Sequence, residues 1–393
     1  MKYKIFSFFS GAGLLDLGFE SEGFSISYVN ELNTSFLKAY KYSRKTLNIK
    51  EPEFGFFPGS ITELLEQPNQ RTMKNLIKEA KRDGSLVGFI GGPPCPDFSI
   101  GGKNLGREGD NGKLSSAYIQ LICQQAPDFF LFENVKGLWQ TKKHRKFYEE
   151  LKIHLKDSGY LLSDKLLNSL EFGVPQDRER IILLGFKKEI LGRSSLKKLP
   201  ESFFPWEKFK RYDKADIFSK PWPSTTPFSE DKQISPPIGL IKELTVQYWF
   251  EKNSVELHPN QPHHFHPRAA FPRFKIIPEG DDSKKSFKRL HRWRYSPTAC
   301  YGNNEVHLHP YKPRRISVAE ALAIQSLPKN FLLPEEMSLS SMFKAIGNGV
   351  PFLLSKNLAK ALNFFLGGEE YEYEVDSVRY CASNWKSTQG QGV

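Results

Sequence analysis

The chain predicts an α/β protein: a doubly wound, Rossmann-like sheet carrying a smaller, irregular second domain. Three observations carry that prediction. Short apolar runs alternate with helix-spaced segments over residues 1–186. The texture then changes to a block rich in proline, histidine, lysine and aromatics, without strong periodicity. Near Arg314 helical spacing returns.

The apolar runs are KIFSFF (4–9), ISYVN (26–30), LVGFI (86–90), FFLFE (129–133) and RIILLGF (180–186), each read as a strand. Leu14 to Glu22 and Phe147 to Lys156 have helical spacing. A mostly parallel sheet follows, with ligands expected at the carboxyl ends of its strands. RRISVAEALAIQSLP reads as an amphipathic helix with a proline stop, and Val350 to Leu366 as a second apolar helix. The expected layout is a first domain of 1–186 plus 313–366, a second of 187–312, and a polar tail of 367–393.

A chain of 393 residues is long enough for one large core and a smaller one. No run reaches membrane-spanning length. The start, MKYKIFSFFS, lacks a long apolar region and a small-residue cleavage site, so no signal peptide is expected. Cys95, Cys123, Cys300 and Cys381 are scattered with no CxxC pair, which predicts a reducing cytoplasm and argues against a disulfide frame. His263, His264 and His266 cluster without cysteines nearby, and no metal is expected there. The net charge is +12, and 187–314 alone holds 24 Lys+Arg against 14 Asp+Glu. Such a block suits either a polyanionic partner or a solvated basic face.

Four motifs carry chemistry. In GGPPCPDFS, Cys95 follows a strand-like run and is framed by two glycines and three prolines. That frame suits a rigid, partly exposed nucleophile, the alternative being a buried structural thiol. FFSGAGLLDLGFE reads as strand, glycine turn and helix start; Gly11 and Gly13 allow a ligand close to the backbone. Asp16 stands where a dinucleotide fingerprint wants its third glycine, while Glu31 is placed to grip ribose hydroxyls. A nucleoside cofactor without a pyrophosphate, S-adenosylmethionine, suits both. Glu133, at the end of an apolar run in FFLFENVKGL, is a candidate general acid or, alternatively, a helix cap with Asn134. Arg178 and Arg180 in GVPQDRERIILLGF alternate onto one face before a strand, suiting recognition of an anion or a base carbonyl, or salt bridging with Asp177 and Glu179.

Taken in order, FSGAGLLDLGFE, GGPPCPDFS, ENVKGL, QDRERIILLGF, RRISVAEALAIQSLP and IGNGVP resemble the motifs of the DNA (cytosine-5)-methyltransferases. The resemblance covers 1–186 and about 313–366. It implies that Cys95 adds to C6 of cytosine, that Glu133 bonds or protonates N3, that Arg180 holds the O2 side, and that Arg178 supports the glutamate or the catalytic loop. It implies that Phe9, Gly11, Gly13, Glu31, Leu32, Ile61, Pro94 and Leu114 line the S-adenosylmethionine site, completed by Asn348, Gly349 and Val350. No metal is required.

The cytosine must leave the duplex to meet Cys95. The glycine-rich SIGGKNLGREGDNGKLS, with Ser99, Lys103 and Arg107, is expected to close over double-stranded DNA. The block 187–312 is expected to recognise the target, through Arg289, Arg292 and Arg294 and through Thr298 in SPTAC. The resemblance also implies a cytoplasmic, monomeric modification enzyme with room for a cognate restriction endonuclease acting on the same site. Two departures stand out: Pro96 follows the nucleophile where the family usually has Gln, and Ser60 stands where it often has Asp. An RNA-directed relative and a catalytically dead one are the rival readings.

Overall fold

In this computed structural model the structure describes residues 2–94, 110–191, 203–267, 271–301, 305–367, 371–375 and 378–382. The first lobe follows the expected rhythm. Strand β1 (Tyr3–Phe8) leads through the glycine turn to α1 (Leu14–Glu20), and β2 (Ser25–Asn30) to α2 (Thr34–Thr46). Asn33 starts α2 by accepting the N–H groups of Ser35 and Phe36 on its side chain. A short β3 (Phe56–Phe57) and α3 (Asn69–Ala80) precede β4 (Leu86–Gly91) and α4 (Asp110–Gln125). Then come β5 (Phe129–Val135), α5 (Lys136–Gln140), α6 (Lys142–Asp157), β6 (Tyr160–Asn168) and β7 (Glu179–Lys187).

The seven strands form one sheet in the order β3-β2-β1-β4-β5-β7-β6. β1 to β5 run parallel, while β7 is antiparallel to both β5 and β6. β6 and the two-residue β3 are additions to the strands expected from sequence. The sheet reverses direction of travel beside β1, so chain ends crowd one edge there.

Alternation along each strand feeds a core on either face. Ile5, Phe129, Leu131 and Ile182 pack on one side against Leu15 and Phe19 of α1. Phe6, Phe8, Phe89, Phe130 and Ile181 pack on the other against Tyr118, Leu121 and Ile122 of α4.

The variable block carries α7 (Lys214–Ser219), α8 (Val246–Lys252) and α9 (Phe271–Phe274), and α10 (Val318–Ile324) and α11 (Leu339–Asn348) follow it. Helix α12 (Phe352–Gly367) returns to the first lobe. Val246, Trp249, Leu290 and Val306 share one core with α10, α11 and, from the first lobe, Leu14, Leu17 and Phe36. Phe203, Phe204 and Trp206 instead pack into the sheet core beside Phe186 and Phe365. The variable block is thus seated on the first lobe at both ends. Helix α10, expected to be amphipathic, is buried at every position, and a capping box between Ser317 and Glu320 starts it. Within the stretch expected as a tail, β8 (Tyr371–Val375) and β9 (Val378–Ala382) pair antiparallel.

Histidines act as turn-formers in the variable block. The Nδ1 atoms of His258, His291 and His309 each accept a backbone N–H two residues on, from Asn260, Trp293 and Tyr311. Burial pushes His291 down to about 4 and His307 down to about 3, and holds His309 well below its usual value. Above the unfolded-state value near 6.5 these rings are neutral in both states; below it the unfolded chain takes up protons that the folded chain refuses. Stability from this source is therefore lost as the pH falls. Asp16, raised to about 6 by burial, works in the opposite direction. Replacing one histidine isolates the effect: between pH 7.5 and pH 5, wild type should lose about 2 kcal/mol more stability than His307→Gln. Urea unfolding at the two pH values measures this, and parallel losses would contradict it.

Candidate active site

Strand registers bring the predicted site residues to one edge. Phe8 pairs with Asn30 on one side and Gly91 on the other, and Gly91 pairs with Phe132. The residues next along the chain, Phe9, Glu31 and Gly92 just past their strands and Glu133 near the end of β5, therefore lie side by side. β7 arrives antiparallel, so its first residues, Glu179 and Arg180, lie at this same edge opposite Val135.

Glu133 is almost fully buried, and its Oε1 lies 3.0 Å from Nε of Arg180. Burial raises the carboxyl pKa, with Arg180 and Arg178 pulling it down. Gly92 is demanded by this pair: a Cβ there would stand 2.6 Å from Glu133 Oε2. One strand residue earlier, a Cβ on Gly91 would meet the Tyr118 ring at 2.9 Å. The glycines of the GGPP turn thus serve close approach. Pro94, partly exposed, ends the described segment. Cys95, Ser99, Lys103 and Arg107 lie outside the described residues.

The glycine turn is left-handed at Phe9 (φ 52°), Gly11 (φ 58°) and Gly13 (φ 80°). Glycine carries that conformation freely, whereas Phe9 holds it under strain. Glu31 Oε2 accepts the Gly11 N–H at 2.8 Å, and Oε1 accepts that of Asn33 at 2.7 Å. Burial raises the Glu31 pKa, and these two donors lower it. Each oxygen keeps a further acceptor site. Next to it Leu32 is 64% exposed, and among the described residues no atom lies within 4 Å of where a Cβ on Gly11 would stand. An acceptor carboxylate, an exposed apolar side chain and open space over the turn fit a ribose with its base. Ile61 is buried, and Leu114 packs on the same aromatic cluster as Phe9. Ser60 is used locally: its hydroxyl caps the turn Ile61–Leu65 by accepting the Thr62 N–H, and Glu63 returns to the Ser60 N–H.

From the C-terminal side, Asn348 is exposed and Val350 buried. A Cβ on Gly349 would stand 2.3 Å from Leu14 Cδ2, so this segment abuts the start of α1. Gly18 is a close-packing glycine that periodicity did not single out: a Cβ there would meet Ser355 Oγ of α12 at 2.2 Å.

Arg178 does not bond Glu133. It is fully buried, and its guanidinium donates to the carbonyls of Ala299 (3.2 Å), Gly347 (3.0 Å) and Gly349 (3.1 Å). Gln176, also missed from sequence, is buried beside it and accepts the Ala299 N–H at 3.1 Å. Thr298 donates its hydroxyl to the Asp177 carbonyl at 2.6 Å, closing the seam between the QDRER segment and the variable block.

The arginines expected at DNA require correction. Arg289 is fully enclosed, donating to the carbonyls of Ile277, Lys312, His309 and Phe274 over the Phe228 ring. Arg292 is 5% exposed and grips both oxygens of buried Glu279 at 2.8 Å. Guanidinium groups satisfied in the interior are not available to bases. Arg294 is partly exposed but holds the Gly280 carbonyl at 2.9 Å and Asp282 at 3.1 Å. Glu179 pairs with Lys136 and Lys214 rather than with the arginines, as the salt-bridge alternative would have had it.

Arg178→Lys leaves part of this buried carbonyl set unpaired, because one ammonium cannot span both arms of the guanidinium. We expect a loss of about 3 kcal/mol or more, read as a lowered unfolding midpoint. An unchanged midpoint would contradict the structural weight given to Arg178.

The model of the C-5 cytosine-specific DNA methylases matches residues 3–363. The type II methyltransferase M.NmeDI of Neisseria meningitidis serogroup C is 56% identical over 380 residues, covering 97% of this chain and 87% of that protein. M.FnuDI of Fusobacterium nucleatum, also called a type II methyltransferase, is 29% identical over 93% of this chain and 96% of its own length. Among solved structures, one described as a DNA modification methyltransferase encoded within an E. coli prophage superposes with a TM-score of 0.60 at 21% identity, over 93% of this chain and all of that one. That likeness concerns the fold. With a match spanning both lobes, and with the motif residues gathered at one sheet edge, the chain belongs to the C-5 cytosine-specific DNA methylase family.

Proposed function

We propose that this DNA cytosine-5-methyltransferase moves a methyl group from S-adenosylmethionine to C5 of a cytosine turned out of a specific duplex sequence, through a covalent bond between Cys95 and C6. The observation that supports this most is the buried Glu133–Arg180 pair pressed against Gly92, three residues before Cys95.

C5 of cytosine is a weak nucleophile. Addition of the Cys95 thiolate at C6, with Glu133 giving a proton to N3, turns C4–C5–C6 into an enamine. C5 can then take up a methyl group. A base removes the C5 proton, the C6–sulfur bond breaks, and Glu133 recovers its proton from N3. S-adenosylmethionine would supply that methyl as its sulfonium carbon–sulfur bond breaks, leaving the thioether S-adenosylhomocysteine. Glu31 would accept its ribose hydroxyls, and Leu32 would cover its base. Burial suits Glu133 to this task, since a desolvated carboxyl holds a proton more readily than an exposed one. Arg180 keeps the acid in place and faces the O2 side of the base.

The glycine-rich segment around Ser99, Lys103 and Arg107 would close on the DNA. With Arg289 and Arg292 internal, phosphate contacts of the variable block fall to exposed lysines such as Lys284 and Lys285. The names of the relatives support a type II modification enzyme; a cognate endonuclease acting on the same target and work as a cytoplasmic monomer belong to the same proposal.

Glu133→Gln should slow single-turnover methylation by roughly 10²–10⁴-fold while duplex affinity holds. Gly92→Ala should act in the same direction by displacing the Glu133 carboxylate. Single-turnover assays on duplex DNA and on tRNA, with base-resolution mapping of the product, check both. An unchanged rate for Glu133→Gln would remove Glu133 from the mechanism, and methylation of tRNA alone would overturn the DNA reading.

A further inference from the structure

The glycine turn is gripped from either side of helix α2. Just before the helix, where β2 ends, Glu31 takes the Gly11 N–H, as described. At the last turn of α2, Arg44 donates Nη2 to the Gly13 carbonyl at 2.7 Å. The arginine is itself held on all sides. Glu20 of α1 lies 2.9 Å from Nη2 and 3.3 Å from Nε, Ser43 Oγ accepts from Nη1 at 3.2 Å, and the Tyr40 ring lies 4.2 Å below the guanidinium. Gly13 is flush with this assembly: a Cβ there would stand 2.6 Å from the Tyr40 ring and 2.7 Å from Arg44 Nη1.

Asp16 completes the cluster. It is fully buried and accepts from Ser7 Oγ of β1 at 2.8 Å. The Tyr40 hydroxyl faces it, and burial raises the pKa of both groups. Burial raises Asp16 to about 6, with Arg44 lowering it and Glu20 raising it. Glu20 is the close counter-ion of Arg44. A buried ion pair is weak evidence of stabilisation, since apolar residues of similar volume often serve as well. What an arginine supplies here and an apolar side chain does not is a fixed hydrogen bond to one loop carbonyl.

We propose that Arg44 is a positioning residue for cofactor binding: braced by Glu20 and Tyr40, it fixes the Gly13 carbonyl and thereby the angle at which the Gly11–Gly13 turn meets S-adenosylmethionine. The proposal rests on the cofactor reading above. Glu31, just before α2, and Arg44, in its last turn, clamp the turn at two points, so the glycine turn and the carboxylate at the ribose move as one piece. Arg44 touches neither DNA nor the reacting atoms in this account. Its loss should therefore separate cofactor affinity from the rest of the reaction.

Calorimetric titration of S-adenosylmethionine into wild type, Arg44→Lys and Tyr40→Leu tests this, together with duplex affinity, kcat at saturating cofactor and the unfolding midpoint. Lysine retains the charge but cannot serve Glu20 and Gly13 together in the same geometry, so cofactor affinity should fall about tenfold or more. Duplex affinity and saturated kcat should stay within about twofold of wild type. Tyr40→Leu removes the ring face without burying an unpaired charge, and should weaken cofactor binding about threefold. It keeps the question answerable if the lysine variant does not fold. Cofactor affinity at wild-type level in both variants would overturn the proposal. So would cofactor affinity, duplex affinity and unfolding midpoint falling together, which marks a merely structural group. Wild type that binds no S-adenosylmethionine would overturn the cofactor reading itself.

Discussion

A guanidinium enclosed by protein needs acceptors, and the two terminal nitrogens of Arg178 find them on segments far apart in the chain, its Nε having none among the described residues. Ala299 lies in the variable block, while Gly347 and Gly349 flank the turn between α11 and α12. Tying these to the residue just before β7 places three things at once. Arg180, two residues on, is delivered to Glu133. The variable block is seated beside the catalytic edge. The turn at Gly349 is pressed onto Leu14, at the start of α1 just after the glycine turn. Coulombic attraction contributes little to this, since the partners are neutral carbonyls. The constraint is the cost of leaving a buried donor or acceptor unpaired.

The same accounting explains how similar acids acquire different duties. Glu31, Glu133 and Asp16 all have pKa values raised by burial. Glu31 is drawn back by two backbone N–H donors, which suits an acceptor of hydroxyl groups. Glu133 is countered by arginines alone and sits where a proton is useful. Asp16 has one hydroxyl partner and no guanidinium of its own, and it is raised to about 6. Burial raises all three, and the donors each carboxylate meets offset it differently.

The sequence made β1, β2, β4, β5 and β7 legible because central strands covered on both faces read as continuous apolar runs. β6, YLLSDKLLN, is an edge strand with an uneven burial pattern and carries no such run. Helix α10 has a polar residue, Glu320, that suggests an exposed face; in the fold that carboxylate is buried against Arg314. Charge was the least reliable signal. Arg289, Arg292 and Arg294 look identical on paper to Lys284 and Lys285, yet they are structural posts for loop carbonyls and for Glu279. Gln176 gave no signal at all, since one amide in a loop has no periodicity to betray it. Glu133, Arg180 and Glu31 were legible because polar residues at the ends of apolar runs fall at the carboxyl edge of such a sheet.

The covalent step is the claim on which the reading of this edge turns. The direct measurement is incubation with S-adenosylmethionine and a target duplex carrying 5-fluorocytosine at the methylated position, followed by denaturing electrophoresis and peptide mass mapping. Fluorine at C5 cannot leave as the proton does, so the account predicts a denaturant-stable protein–DNA adduct, methylated at C5 and attached at Cys95, and none with Cys95→Ser. Normal turnover on the ordinary duplex with no adduct on the fluorinated one, or an adduct mapped to the exposed thiol of Cys300, would contradict it.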